Sequence, residues 1–465
     1  MHRPTRGGAT ASPSEHGHRT PVDVATSLEA AGVAAVALAF VDPAALVRVK
    51  CVPIAGFADA AEKGVGLSTL FNVAMSNDEF ALRPGYIDGP SGDLRLRADA
   101  SATAPIASMP GWAWAPVDQY RQDGSPWPAC PRTFARRMTD RATEAGLFVR
   151  AAFELEFSLG MARDDDAFEP AHHGPGYSDI ALAANHEFAL ELITSLQAQG
   201  LDVQQFHPEY ANGQFELSIA PRDAVAAADA AVLTRQIVRA IARRHRRRAS
   251  FSPQVVDGTG NGAHLHVSVW DRDVNLMAGG DGPAGMTARG EAFVAGILDE
   301  LPAITAVSAP TVLSYLRLQP HHWSGAMQCW GTENREAAVR FIAGAMSADA
   351  ANAEVKPIDG TANVYLVMGV VVAAGLAGIR KASTLPPSTE EDPSGLPDEE
   401  KEARGVRPLP GSLGEASERF ARSDVLREAM GDFLFETFLA TRRGEDRTYA
   451  DVPEEELMRR LRWRF

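Results

Sequence analysis

Residues 153–157 read FELEF, and this short run limits what the chain can become. In an extended strand successive side chains point to opposite faces. Glu154 and Glu156 therefore share one face, while Phe153, Leu155 and Phe157 share the other. The aromatic face needs a core to cover it. The acidic face sets two carboxylates side by side, and they repel unless water or a cation lies between them. Taken alone, such a pair reads as a solvated strand face.

The pair is not alone. HPEYANGQFELSI (207–219) brings Glu209 and, past a turn at Gly213, Glu216 alternating with apolar neighbours. NGAHLHVSVW (261–270) puts His264, His266 and Ser268 on one strand face. ENREAAVRF (333–341) offers Arg335 and Arg340, and NAEVKPIDG (352–360) offers Glu354 and Lys356 two apart. Oxygen-rich ligation with an imidazole suits hard divalent ions such as Mg²⁺ or Mn²⁺. Arginines suit carboxylates and phosphates. Two such ions with arginines beside them describe a site for moving a phosphoryl group.

Other motifs carry less. GTGNG (258–262) is followed by a strand rather than a helix, so a dinucleotide loop fails its own context, and these glycines let backbone approach a ligand closely. His264-x-His266 lacks the following acidic ligand of a cupin-type metal box. RRHRRR (243–248) is read as the basic C-terminal end of a helix, where cations oppose the dipole. A net charge of −15 argues against a general nucleic-acid binder but leaves room for an anionic ligand bound through a metal.

The chain has 465 residues, more than one ordinary core holds. A disordered tail is expected over 1–20, without the apolar stretch of a secretory signal. A small α+β unit is expected over 21–125, and a large second domain with an antiparallel sheet lining a site over 126–465. The proline-punctuated QDGSPWPACPR (122–132) marks the boundary. Cys51, Cys130 and Cys329 show no pairing pattern, which points to a reducing cytoplasm. VYLVMGVVVAAGLAGI (364–379) is short for a membrane span and is read as a buried helix. Residues 386–405 are read as an exposed charged loop.

FELEF, HPEYANGQFE, GNGAHLHVS, SYLRLQP, ENREAAVRF, EVKPIDGTANVYL and AAGLAGI follow one another in this order. That ordered set resembles the glutamine synthetase family, from about residue 35 to the C-terminus. The resemblance implies an α+β fold, with an N-terminal β-grasp-like domain and a catalytic domain whose antiparallel sheet lines the active site. It implies a ring-shaped homo-oligomer, a dodecamer of two hexameric rings, with sites between subunits. The chemistry it implies is phosphorylation of glutamate's γ-carboxylate by ATP, with a nitrogen nucleophile then displacing phosphate. Two or three Mg²⁺ or Mn²⁺ ions serve each site. Glu156, Glu209 and Glu216 match the ligands of one metal, and Glu154, His264 and Glu354 those of another. Arg317 matches the arginine that holds glutamate's carboxylate, and Gly260 the loop beside its amino group. His266, Ser268 and Arg340 match nucleotide contacts. Arg335 matches the group that stabilises the phosphoryl in flight.

The departures concern the substrates. Lys356 stands where the family usually has a second substrate arginine, and Gln204 replaces an acidic nucleotide contact. Ammonia-using members carry an aspartate after a phenylalanine; here Asn72 falls there, within FNVAMSND. They also carry a flap glutamate six residues after the arginine matched by Arg317; here that position is Trp323, after His321 and His322 in PHHWSG. Both changes remove charge that would collect and deprotonate ammonium. The expectation is a ligase joining glutamate to an organic amine, with a small monoamine such as ethanolamine first and a polyamine next. Trp323 walls the amine's entrance, and His321 or His322 takes its proton or gates the site. An ammonia-using glutamine synthetase is the alternative, and a non-catalytic relative is disfavoured because all six metal-ligand positions are filled. No tyrosine lies between Tyr365 and Tyr449, so the adenylylation tyrosine of some bacterial members is expected to be missing.

Overall fold

A computed structural model describes residues 19–465. The expected tail falls outside these residues except for its last two, and Thr20 is already ordered as a helix cap. Its hydroxyl accepts from the Asp23 backbone N–H while the Asp23 carboxylate accepts from that of Thr20, a capping box that starts the helix Pro21–Ala30.

The N-terminal unit is a six-stranded sheet built around the order Val47–Pro53, Ala35–Val41, Trp112–Tyr120, Asp93–Ala98, Val65–Ser68. The pair Ala35–Val41 and Trp112–Tyr120 runs parallel, and the other pairs are antiparallel. Val24 and Leu28 of the first helix and Phe57 of a second one pack on Leu38, Leu96 and Val117 of this sheet. The expected grasp-like α+β unit is therefore present.

An eleven-stranded sheet follows. Its main path runs Arg407–Pro408, Met327–Thr332, Ala337–Ile342, Asn352–Val355, Ala263–Asp271, Phe148–Met161, Gln214–Ile219, Val203–Pro208. Phe153, Leu155 and Phe157 point away from the acidic face into the core, where Phe157 stacks near Phe215 at 6.0 Å. Helices Pro131–Glu144 and Ala224–Arg244 cover that side, and Val364–Lys381 packs on them. Val364–Lys381 is apolar enough to cross a membrane by composition, yet it is buried inside the protein. A Cβ at Gly378 would lie 2.1 Å from the Ala292 carbonyl oxygen, so the neighbouring helix Ala288–Ser308 approaches as closely as it does only over glycine.

Arg132 ties the two units together. Its guanidinium bonds Asp99 and Asp118 of the N-terminal unit and Asp229 of the helix Ala224–Arg244, and the residue is only 4% exposed. Tyr365 donates to the same Asp229.

Three local expectations change. Residues 314–317 lie on an apolar run that reads as strand-like, yet Ser314–Arg317 is a single helical turn, with Ser314 Oγ bonding Thr311 at its start. Four residues are too few for periodicity to separate the two forms. The RRHRRR run does not stay helical. The helix stops at Arg244, Arg246 turns with φ +54°, and Arg247–Ser250 pairs as a strand with residues 158–161. Within the charged segment 386–405, Asp398–Arg404 forms a short helix.

Candidate active site

Strand register gathers the polar residues. Glu156 pairs with Glu216, and Glu216 with His207 on the next strand. Glu154 pairs with His264, His266 with Glu354, and Glu354 with Arg340. Neighbouring strands lie about 4.8 Å apart. Six strands thus deliver one belt of carboxylates and imidazoles to the face opposite the core. This belt lines a cavity of about 1440 Å³.

Two sets of donor atoms converge in the belt, each within 4.8 Å: Glu154, His266 and Glu354, and His207, Glu209 and Glu216. The expected sets had His264 in place of His266 and Glu156 in place of His207. His264 and Glu156 face the same cavity and stand beside these sets. His264 Nδ1 lies 3.0 Å from Glu154 Oε1 and 3.2 Å from Glu354 Oε1, and its Nε2 lies 3.7 Å from Glu156 Oε1. Glu156 Oε2 accepts from Gln214, whose amide also bonds the Gly260 carbonyl.

The belt suits divalent cations. Burial, reinforced by the charges of Glu154 and Glu156, pushes the Glu216 carboxyl up to about 7. The bond to Glu216 in turn raises His207 to about 9. Burial works against a charge on His266, yet Glu154 and Glu354 outweigh it and raise it to about 9. His266 Nε2 is buried without a hydrogen-bond partner, 3.6 Å from Glu154 Oε2. A crowded carboxyl at Glu216 that holds its proton to about neutral pH, and an orphaned imidazole nitrogen at His266, are what cations would relieve.

At one end of the cavity Arg317 Nη2 bonds His264 Nε2 at 2.8 Å. Lys356 is buried and its ammonium lies 3.0 Å from Glu354 Oε1. Above them runs the PHHWSG loop, in which His321 and Trp323 hold φ +64° and +51°. His321 faces Asp392 at 3.3 Å and Ser394 at 3.4 Å, on the charged segment. The Trp323 N–H donates to Glu336, and its indole stands edge-on to Tyr210 at 5.0 Å. Tyr177 donates to Glu209 at 2.6 Å and stacks on His207 at 5.1 Å. Arg150, Gln204, Ser268 and Trp270 line the same cavity, with Arg150 over the Trp270 ring at 4.3 Å.

Residues 128–461, well over half of the chain, match the glutamine synthetase catalytic domain. The chain belongs to the glutamine synthetase family. It is 45% identical to the gamma-glutamylpolyamine synthetase GlnA3 of Streptomyces coelicolor, over 93% of this chain and 94% of that one. It is 31% identical to a glutamine synthetase of Halobacterium salinarum, over 98% of this chain and 99% of the other. Among solved structures, a glutamine synthase homologue superposes with a TM-score of 0.82 at 31% identity, covering 93% of this chain and 99% of that one. The ADP complex of GmaS gives 0.81 at 27% identity, covering 94% and 99%. Family membership makes the chain a glutamate–amine ligase, with the ATP and divalent-metal chemistry of that family.

Most of the site residues expected from the sequence line this one cavity: Glu154, Glu156, Gln204, Glu209, Glu216, Gly260, His264, His266, Ser268, Arg317, His321, His322, Trp323, Arg335, Arg340, Glu354 and Lys356. Asn72 does not. It is buried, donates to Gln119 Oε1 and the Ala129 carbonyl, and accepts from Trp127. Its amide joins the N-terminal sheet at Gln119 to the start of the second unit at Trp127 and Ala129. Asp78, close by in sequence, is held by Arg48 and Arg464 and does not line the cavity.

Sequence reasoning missed His207, Tyr177, Tyr210, Gln214 and Gly262. His207 stands two residues before Glu209 on the same strand, so its period-2 spacing was available as a signal. The tyrosines lie in loops, where no periodicity marks a direction. A Cβ at Gly262 would lie 2.5 Å from His264 Nε2, 2.6 Å from Arg317 Nη2 and 2.8 Å from Glu156 Oε1. That glycine, more than Gly260, is the one the site's geometry requires.

Proposed function

We propose that this protein joins the γ-carboxylate of L-glutamate to an organic amine through a γ-glutamyl phosphate. The observation that carries this reading is Trp323. An indole, 43% exposed, faces the cavity where ammonia-using members of the family place a carboxylate. An aromatic wall favours an amine that carries carbon and offers nothing to concentrate ammonium.

Arg317 would hold the glutamate carboxylate. Arg335, which lines the cavity and forms no ion pair among the described residues, would steady the transferring phosphoryl group. When bound, two or three Mg²⁺ or Mn²⁺ ions held by the carboxylate–imidazole belt would neutralise phosphate charge. His266, Ser268, Arg340 and Gln204 would face the nucleotide.

A polyamine is placed ahead of a small monoamine such as ethanolamine, which reverses the order favoured by the sequence. That order rested on the loss of carboxylates at two positions. Asp257 and Glu454 also line the cavity, however, and can pair with a distal ammonium. The polyamine synthetase relative supports the same choice. We place the enzyme in the cytoplasm as a homo-oligomeric ring with its sites between subunits.

Phosphate release measured with glutamate, ATP and a panel of ammonium, ethanolamine, a diamine and a triamine tests the reading. A diamine or triamine should give the highest kcat/KM. Ammonium outperforming every amine would sink it. Glu154→Ala should abolish turnover with all of them.

A further inference from the structure

Three aromatic side chains at the cavity mouth stay open to solvent although the chain has ample core: Tyr177 is 50% exposed, Tyr210 60% and Trp323 43%. A contiguous exposed apolar patch rimmed by polar residues is the form a ligand-binding surface takes. These three come from three different loops. Tyr210 stands edge-on to Trp323 at 5.0 Å and 81°, and edge-on to Tyr177 at 5.3 Å and 77°. Tyr210 is therefore the central member, touching both others.

The chain makes room for it. A Cβ on Gly176 would lie 2.9 Å from Tyr210 Cδ1 and 3.0 Å from its Cα, so the adjoining loop can pass this ring only as glycine. On the far side the indole is presented by a residue at φ +51°, a backbone region that a bulky side chain enters only when held there. The backbone N–H of Tyr210 itself donates to Glu209 Oε2, which ties the ring's position to the acidic belt beneath it.

Resting on the organic-amine reading above, we propose that Tyr210 is a specificity-determining residue: with Tyr177 and Trp323 it forms an aromatic clasp that selects an alkylammonium over ammonium. The ring faces attract the cationic head, and the ring edges cover the methylenes next to it. Glu209 below the clasp supplies the negative field. Ammonium has no methylene to cover and gains only the weaker part of this interaction.

The test compares wild type, Tyr210→Ala and Tyr210→Phe in the phosphate-release assay, with kcat/KM measured for a diamine, for ethanolamine and for ammonium. In Tyr210→Ala the ratio of organic amine to ammonium should fall by about tenfold, through the KM of the amine. Tyr210→Phe keeps the ring and should restore the ratio to within about twofold. Adding Trp323→Ala to Tyr210→Ala should lower the ratio by less than the product of the two single effects, because the rings act as one wall. An unchanged ratio in Tyr210→Ala, with wild type still preferring organic amines, overturns the clasp alone. A wild type that prefers ammonium overturns the clasp together with the reading on which it rests.

Discussion

Arg317 donates to His264 Nε2 at 2.8 Å, and His264 Nδ1 faces Glu154 and Glu354 at 3.0 and 3.2 Å. The arginine matched to glutamate's carboxylate is thus joined, through one imidazole, to two carboxylates of the metal belt. It cannot give the same N–H to a substrate and to His264. Glutamate and metal should therefore bind with positive coupling, because taking Arg317 away frees an imidazole nitrogen for the cation. Mn²⁺ affinity measured by calorimetry should tighten by about fivefold or more when glutamate is present. In Arg317→Ala that coupling should vanish. A coupling of the same size in the variant would refute the link.

Gly262 offers a steric test. Its missing Cβ leaves the space that His264, Arg317 and Glu156 occupy. Gly262→Ala should lower kcat/KM by about 100-fold or more, by displacing groups whose placement the chemistry needs. At Gly260 an added Cβ would meet only Arg317 Cγ at 3.6 Å, an ordinary contact. Gly260→Ala should retain most of the activity. Equal losses at the two positions would mean that crowding at Gly262 is not the cause.

Trp323→Glu returns a carboxylate to the flap. Relative use of ammonium should rise by about tenfold, since one charge close to the nucleophile is worth on the order of 1–2 kcal/mol at a partly solvated site. Competition between ammonium and a diamine, read by mass spectrometry of the products, measures this. An unchanged product ratio would show that the flap does not set specificity.

Arg132 should matter to stability instead of turnover. Replacing it with leucine would leave Asp229 without a cationic partner, and Asp99 and Asp118 with Arg136 alone, and should destabilise the protein by about 3–5 kcal/mol, seen as a lower melting temperature. The pH dependence has a definite sign. Burial opposes the Asp99 charge, but Arg132, Ser101 and Arg136 outweigh it and hold this carboxyl at about 2, below its ordinary 3.8. Its contribution, about 2 kcal/mol, is fully present above roughly pH 4 and is lost as pH falls toward 2. In Arg132→Leu the stability curve should be flatter across that window. An identical slope would contradict the assignment.

The sequence by itself determined the belt's composition and direction. Glu154, Glu156, Glu216, His264, His266 and Glu354 alternate with apolar residues, and a strand's two-residue period leaves only one way to face them. It also determined the ordered set of motifs that marks the family, and the burial of the apolar helix Val364–Lys381. Tertiary structure decided what periodicity does not encode. Register between strands far apart in sequence brought His207 to Glu216 and His266 to Glu354, and so set two further imidazoles beside the expected ligands. Loop conformation joined Tyr177, Tyr210 and Trp323 into one wall. Packing turned Asn72 inward, because a buried amide must find partners and Gln119, Trp127 and Ala129 supply them. Local spacing fixes which way a side chain points along its own element, whereas its partners depend on elements that only the folded chain brings near.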